Sequence, residues 1–209
     1  MRDGARMATA GRRRCGLAVL LLALFWAGTA AAQDFAAGMR AHLAKHYQES
    51  RRIFHALADA GNVRAEFMMG TIYEQGLGVP KDLEAAARWY RLAADGGNAS
   101  AQYNLGIFYQ FGKGVPKDPV KAAHLLLLAA EQGHGRAQNN LSTFYFTGIG
   151  VPRDLVEAWK WLTLSADDLK GQGRQIALEN RKVIEREMTP EQIETARRRV
   201  ADWKRRHAK

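Results

Sequence analysis

Along the middle of the chain, apolar residues recur three and four positions apart, and short glycine-rich breaks interrupt them. Ala101, Leu105, Phe108 and Tyr109 keep helical spacing and predict a helix from about Ser100 to Phe111. Ala122, Leu125, Leu126, Ala129 and Ala130 predict a second, from about Asp118 to Glu131. The break between them reads YQFGKGVPKD over 109–118. The same break occurs 36 residues earlier as YEQGLGVPKD (73–82) and 36 residues later as YFTGIGVPRD (145–154). Other positions keep this register: Ala65, Ala101 and Ala137; Met69, Leu105 and Leu141; Ala86, Ala122 and Ala158; Gly61, Gly97 and Gly133. An internal period of this length is the mark of a stacked repeat.

The Gly-Lys pair at 112–113 has the look of a phosphate-binding loop, but the copies exclude that reading. Leu77 and Ile149 occupy the position of Lys113, and Gly114 stands where such a loop requires Ser or Thr. The segment is a turn. Its glycines reach positive φ cheaply at a helix C-terminus. Pro80, Pro116 and Pro152 prevent the helix from continuing. Asp82, Asp118 and Asp154 are positioned to accept from the free N–H groups of the next helix, and Pro119 suits its first turn. Gly70 and Gly106 lie inside the first helix of their units, where glycine costs about 1 kcal/mol relative to alanine. Ser142 replaces them in the third copy. Such a recurrent small residue predicts a close helix crossing.

With A-x-x-x-L-G-x-x-Y-x-x-G-x-G-V-P-x-D followed by A-x-x-W and A-A-x-x-G-(N/H), the chain resembles the Sel-1-like repeat family, relatives of the tetratricopeptide repeat. The second unit carries the pattern as Ala101, Leu105, Gly106, Tyr109, Gly112, Gly114, Val115, Pro116, Asp118, Ala122, Ala129, Ala130, Gly133 and His134. Leu125 departs from it, where Trp89 and Trp161 stand in the neighbouring units. The expected fold is all-α, a right-handed α-solenoid of stacked antiparallel helix pairs. Expected repeats occupy 63–98, 99–134 and 135–170. Residues 33–62 form an N-terminal cap, whose 46–62 stretch aligns with 82–98 as a partial repeat. Residues 171–209 form C-terminal capping helices, with Thr189-Pro190-Glu191-Gln192 as a capping box.

By the same resemblance, the first helix of each pair lines a concave groove. The candidate protein-binding residues are Arg64, Phe67, Thr71 and Glu74 in the first unit. Tyr103, Ile107, Gln110 and Phe111 follow in the second, and Asn139, Thr143 and Phe146 in the third. Phe67, Tyr103, Phe111 and Phe146 are either interface anchors or part of the solenoid core. Trp89 and Trp161 read as core. Trp159, two residues from Trp161, faces another side and is expected to be exposed.

The first 32 residues have the composition of a cleavable signal peptide. Arg12–Arg14 precede the apolar run LAVLLLALFW (17–26), and Ala30-Ala31-Ala32 offers small residues before Gln33. The alternative is an anchor running to Ala32, and the arginines leave the export route open between the general and twin-arginine pathways. Cleavage removes five arginines and one aspartate from totals of 31 basic and 21 acidic residues. The mature chain then carries a net +6. The one cysteine, Cys15, leaves with the signal, which excludes disulfides, thiol nucleophiles and thiolate metal sites.

Motifs for nucleophilic or zinc chemistry are missing: the chain has no G-x-S-x-G, H-E-x-x-H or S-x-x-K. His42 and His46 lie one helical turn apart without an evident third ligand, and Glu84, Glu131 and Glu157 read as surface charges. No cofactor is expected. The C-terminal cations Arg197, Arg198, Arg199, Lys204, Arg205, Arg206 and Lys209 form either a solvated helix face or a contact for an acidic partner, an anionic wall polymer or lipid headgroups. The expected protein is a non-enzymatic adaptor, periplasmic or secreted, that docks another envelope or secreted protein. A cell-wall glycan-binding protein is the alternative. Nucleic acid is not an expected partner, and no stable membrane span is expected after cleavage.

Overall fold

The computed structural model describes residues 34–208. Residues 1–32, expected to be a signal peptide, lie outside them. The described chain is helical from end to end: α1 (34–43), α2 (Tyr47–Asp59), α3 (Val63–Gln75), α4 (Leu83–Asp95), α5 (Ala99–Phe111), α6 (Pro119–Glu131), α7 (Gly135–Thr147), α8 (Leu155–Asp168), α9 (Gly171–Glu185) and α10 (Pro190–His207). The pairs α3/α4, α5/α6 and α7/α8 pack as hairpins, and each pair stacks on the next to give a right-handed α-solenoid. Among the described residues no helix is long and apolar enough to cross a membrane.

Each helix boundary has a local cause. Asp82, Asp118 and Asp154 accept from Ala85, Lys121 and Glu157 backbone N–H groups at 2.8, 3.0 and 3.0 Å. Their own N–H groups donate back to the carbonyls of Tyr73, Tyr109 and Tyr145, which zips each turn shut. Asn62, Asn98 and His134 cap the other helix of each unit. Each such cap contributes about 1 kcal/mol. Gly76, Gly112 and Gly148 end α3, α5 and α7 in the left-handed conformation.

The second glycine of each turn has a different task. Gly78 packs on Tyr47, Gly114 on the Leu83 carbonyl and Gly150 on the Pro119 carbonyl. Each turn is therefore seated on the start of the preceding unit's second helix, with no room for a side chain. Lys113 lies exposed on the rim, its ammonium 5.7 Å from the Phe111 ring centroid.

Inside each pair the small residue of the first helix faces one bulky residue of the second. A Cβ on Gly70 would come within 2.5 Å of the Tyr90 ring, and one on Gly106 within 3.2 Å of Leu126. Tyr90, Leu126 and Leu162 share one register, and all are fully buried or nearly so. Ser142 beside Leu162 completes the series. Alanines at the remaining crossings (Ala65, Ala101, Ala137, Ala86, Ala122 and Ala158) are wholly buried, which allows close stacking.

One junction breaks the pattern. Gln102 and Gln138 are buried and donate to the Ala94 and Ala130 carbonyls of the preceding unit at 3.2 and 3.1 Å. Glu66 holds this register in the first unit, where the matching acceptor is the Ala58 carbonyl. An ionised carboxylate has no proton for that bond, and burial raises the Glu66 pKa above its ordinary 4.5. The neutral form is favoured on folding. This junction's stability is therefore present below the ordinary value and lost as pH rises through the folded one. Glu66→Gln is expected to add about 1 kcal/mol at neutral pH and to remove that slope, as read by urea unfolding at pH 4 and pH 7.

At the N-terminal end, α1 takes the place of a first helix although its sequence has lost the repeat pattern. Phe35 packs on Phe54 with ring centroids 5.3 Å apart, beneath α3. His42 lies 3.4 Å from the Ser50 hydroxyl, and His46 is 4.0 Å from Glu49.

The C-terminal end departs from a simple continuation. α9 is a fourth first helix: Gly171 and Ala177 fall 36 residues after Gly135 and Leu141, and Ala177 is fully buried. α10 then packs on α8. Trp161 and Trp203 meet edge to face at 6.4 Å, and Trp203 donates to Glu131 at 2.8 Å. Trp159 corrects the sequence expectation. It is only 5% exposed and donates to Glu185 at 2.7 Å, because α9 covers its side of α8. Glu131 and Glu157 are likewise not free surface charges: Glu131 receives Trp203, and Glu157 receives Lys160 and Arg199.

Candidate docking groove

The outward sides of α3, α5 and α7, with α9 beyond them, form a continuous surface on the side away from α4, α6 and α8. Arg64 is exposed, with its guanidinium 4.1 Å from the Phe35 ring centroid. Phe67 is half-buried against Tyr90, with centroids 5.8 Å apart. Thr71 and Glu74 turn inward at their tips. The Tyr90 hydroxyl donates to Glu74 at 2.6 Å and lies 3.4 Å from Thr71 Oγ1. Burial, and then the Glu74 carboxylate, push the Tyr90 hydroxyl well above its ordinary pKa. In the first unit, much of the groove's polar chemistry is thus spent within the fold.

The second and third units leave more of it available. Tyr103 is half-buried and stacks on His134 at 4.8 Å. Ile107 is half-buried beside it. The side-chain oxygens of Gln110 and Asn139 are the exception: they are enclosed within the fold and have no hydrogen-bond partner there. Phe111 is 62% exposed at the rim. Thr143 is exposed, and Phe146 lies 5.6 Å from the Arg153 guanidinium. Arg153 is fixed in turn by Glu187 and by the Phe146 carbonyl.

Two pockets lie against α9. Tyr103 and Asn139 line a pocket of about 270 Å³ together with Arg136, Asn140, Lys170 and Ile176. Thr143 and Phe146 line another, of about 210 Å³, with Leu162, Asn180 and Val183. Arg64, Phe67, Thr71, Glu74, Ile107, Gln110 and Phe111 line neither. Sequence reasoning missed Arg136, Asn140 and the α9 residues. Arg136 holds the register of Arg64, and Asn140 that of Asn104, so the repeat offered a signal for both. α9 kept too little of the consensus to be placed in the groove.

His134 couples this surface to pH. Its Nδ1 accepts from the Ala137 N–H at 3.2 Å, so the ring caps α7 only while Nδ1 is unprotonated. Burial lowers its pKa below the ordinary 6.5; Asp168 opposes that shift and Arg136 adds to it. The cap's stability is present above the ordinary value and is lost as pH falls below it toward the folded value. His134→Asn, the residue at this register in Asn62 and Asn98, is expected to abolish that acid-side loss. Thermal midpoints between pH 5 and 8 read it directly.

A family profile described as Sel1 repeat matches residues 63–98, 99–134 and 135–168. Among solved structures, a Sel1 repeat protein from Oxalobacter formigenes is similar at 33% identity and a TM-score of 0.63, covering 66% of this chain and 57% of that one. A protective antigen present in uropathogenic Escherichia coli strains, c5321, displays an SLR fold. It is similar at 28% identity and a TM-score of 0.55, covering 76% of this chain and 41% of that one. The chain therefore spans about half the length of the solved chains it matches. No match is found among curated proteins.

Proposed function

Because the chain belongs to the Sel1 repeat family, whose members mediate protein–protein interaction as non-catalytic scaffolds, we propose that it is an adaptor of the bacterial cell envelope. It docks a segment of another envelope or secreted protein in the groove of α5, α7 and α9. The observation that carries this reading is the pair of pockets between α7 and α9. There Tyr103 and Phe146 offer rigid aromatic surface beside the amide side chains of Asn140 and Asn180. Aromatic anchors beside amide side chains suit a polypeptide, whose main chain offers both donors and acceptors. The envelope location rests on the signal-like pattern of residues 1–32.

The test is in-cell crosslinking of the tagged full chain, followed by capture and mass spectrometry. One envelope protein is expected, and Tyr103→Ala with Phe146→Ala is expected to weaken its capture by tenfold or more, since anchors of this kind contribute about 2 kcal/mol each. Circular dichroism establishes that the variant remains helical. Undiminished capture by the variant would refute the groove. Recovery of wall glycan alone would replace the protein partner with a polysaccharide.

A further inference from the structure

The outer side of α8 carries a second concavity, separate from the groove. Between α8 and α10 lies a pocket of about 550 Å³ lined by Glu157, Lys160, Arg199, Asp202, Arg205 and Arg206. Every one of these residues is charged, four positively and two negatively. At the base, Lys160 is only 7% exposed. Its ammonium lies 2.7 Å from Glu157 Oε2 and 3.9 Å from the Trp161 ring centroid. Arg199 lies 2.7 Å from the other oxygen of the same carboxylate and 3.5 Å from Asp154. One carboxylate thus holds two cations. Arg205 pairs with Asp202 on its own helix, and Arg206 has no carboxylate partner among the described residues. With Asp154 counted beside the lining, four cations face three carboxylates, and the cluster keeps one positive charge in excess.

The pocket is not a general property of the repeat. Arg88 and His124 hold the register of Lys160 in the first two units and are exposed. Only in the third unit does a further helix close over this position, burying a lysine and bringing three arginines above it.

We propose that this pocket is a phosphate-binding site, formed by Arg205 and Arg206 from α10 over Lys160 and Arg199. Guanidinium forks and an ammonium line one concavity with more donors than its carboxylates can use, and a tetrahedral oxyanion can accept from several of them at once. The remaining positive charge suits a phosphate monoanion or a phosphodiester. The volume leaves space for the group that carries the phosphate. The ligand chemistry is shared by free phosphate, an anionic wall polymer and a lipid headgroup. The site is independent of the groove reading.

The experiment titrates the full chain with inorganic phosphate, soluble poly(glycerol phosphate) and phosphatidylglycerol vesicles, at constant ionic strength against chloride. Saturable binding to at least one is expected. Arg205→Ala with Arg206→Ala should weaken it about tenfold or more. Both side chains are largely solvent-facing, so the fold should survive. Lys160→Met provides a second variant, expected to weaken binding while leaving α10 docked by Trp203. Tyr103→Ala with Phe146→Ala should bind phosphate as the parent does, so failure of the groove leaves this site standing. Tightest binding to polymer names the wall as the source, and tightest binding to vesicles names the headgroup. Absence of saturation with all three ligands, an equal response to chloride, or parental binding by the arginine variant overturns the proposal.

Discussion

Gly114→Ala is expected to destabilise the protein by roughly 2–5 kcal/mol. Two effects combine. Gly114 has φ of 63°, a conformation that an L side chain adopts only at a penalty of about 1–2 kcal/mol. The added methyl would also meet the Leu83 carbonyl and the Glu84 nitrogen, which are backbone atoms at the start of α4 and cannot swing aside. Overpacking of this kind adds about 1–3 kcal/mol. Gly97→Ala is the matched control, because Gly97 has φ of 84° with no heavy atom near the methyl. It should show the backbone penalty alone. Urea denaturation of both variants separates the terms. An equal loss in the two would mean that the second turn glycine is needed only for its conformation, and that the seat on the preceding unit contributes nothing.

The second large effect concerns the crossing inside the first unit. Gly70→Ser is expected to cost about 2–3 kcal/mol, because its Cβ would lie 2.5 Å from the Tyr90 ring. Gly106→Ser should be nearly neutral. There the nearest atoms are Leu126 Cγ and Cδ2 at 3.2 and 3.3 Å, which need to give by only a few tenths of an ångström, and serine gains helix propensity over glycine. The third unit already shows the permitted combination, Ser142 with Leu162. Tyr90→Leu should therefore rescue much of the Gly70→Ser loss, with a coupling of about 0.5–3 kcal/mol in a double-mutant cycle. Strict additivity would show that Tyr90 is not what keeps residue 70 small.

These two cases also separate what was legible in the sequence from what was not. Features repeated in register could be read. The capping aspartates, the turn glycines and the small residue inside the first helix recur at one spacing, so a substitution such as Leu77 for Lys113 distinguishes turn from ligand without a structure. Glu66 was equally visible as the odd member of a Glu–Gln–Gln series, but its meaning needed the Ala94 and Ala130 carbonyls to be seen. Contacts that cross registers could not be read. Trp159 was expected to be exposed because the pattern reports which side of α8 a residue occupies, and not that α9 covers that side. The pairing of Arg199 with Asp154 and Glu157 joins residues more than forty positions apart with no repeated counterpart. In the groove, the candidate positions came from resemblance. The pockets that collect Tyr103, Asn139, Thr143 and Phe146 arise from the decayed helix α9.

The seating of each turn on the unit before it bears on how such arrays change length over evolutionary time. Gly114 reads only the start of α4, and Gly150 only the start of α6. Excision of 99–134 would bring Gly150 onto Leu83, a seat of the kind Gly114 already occupies. Whole units can therefore be lost or duplicated in the middle of the gene while the reading frame of contacts is kept. The C-terminal end lacks this freedom, because α10 is keyed to Trp161 and Glu157 in the last unit and to Glu131 in the one before it. Recombination should lengthen or shorten this protein from within, while its final unit and closing helix are inherited together as one block.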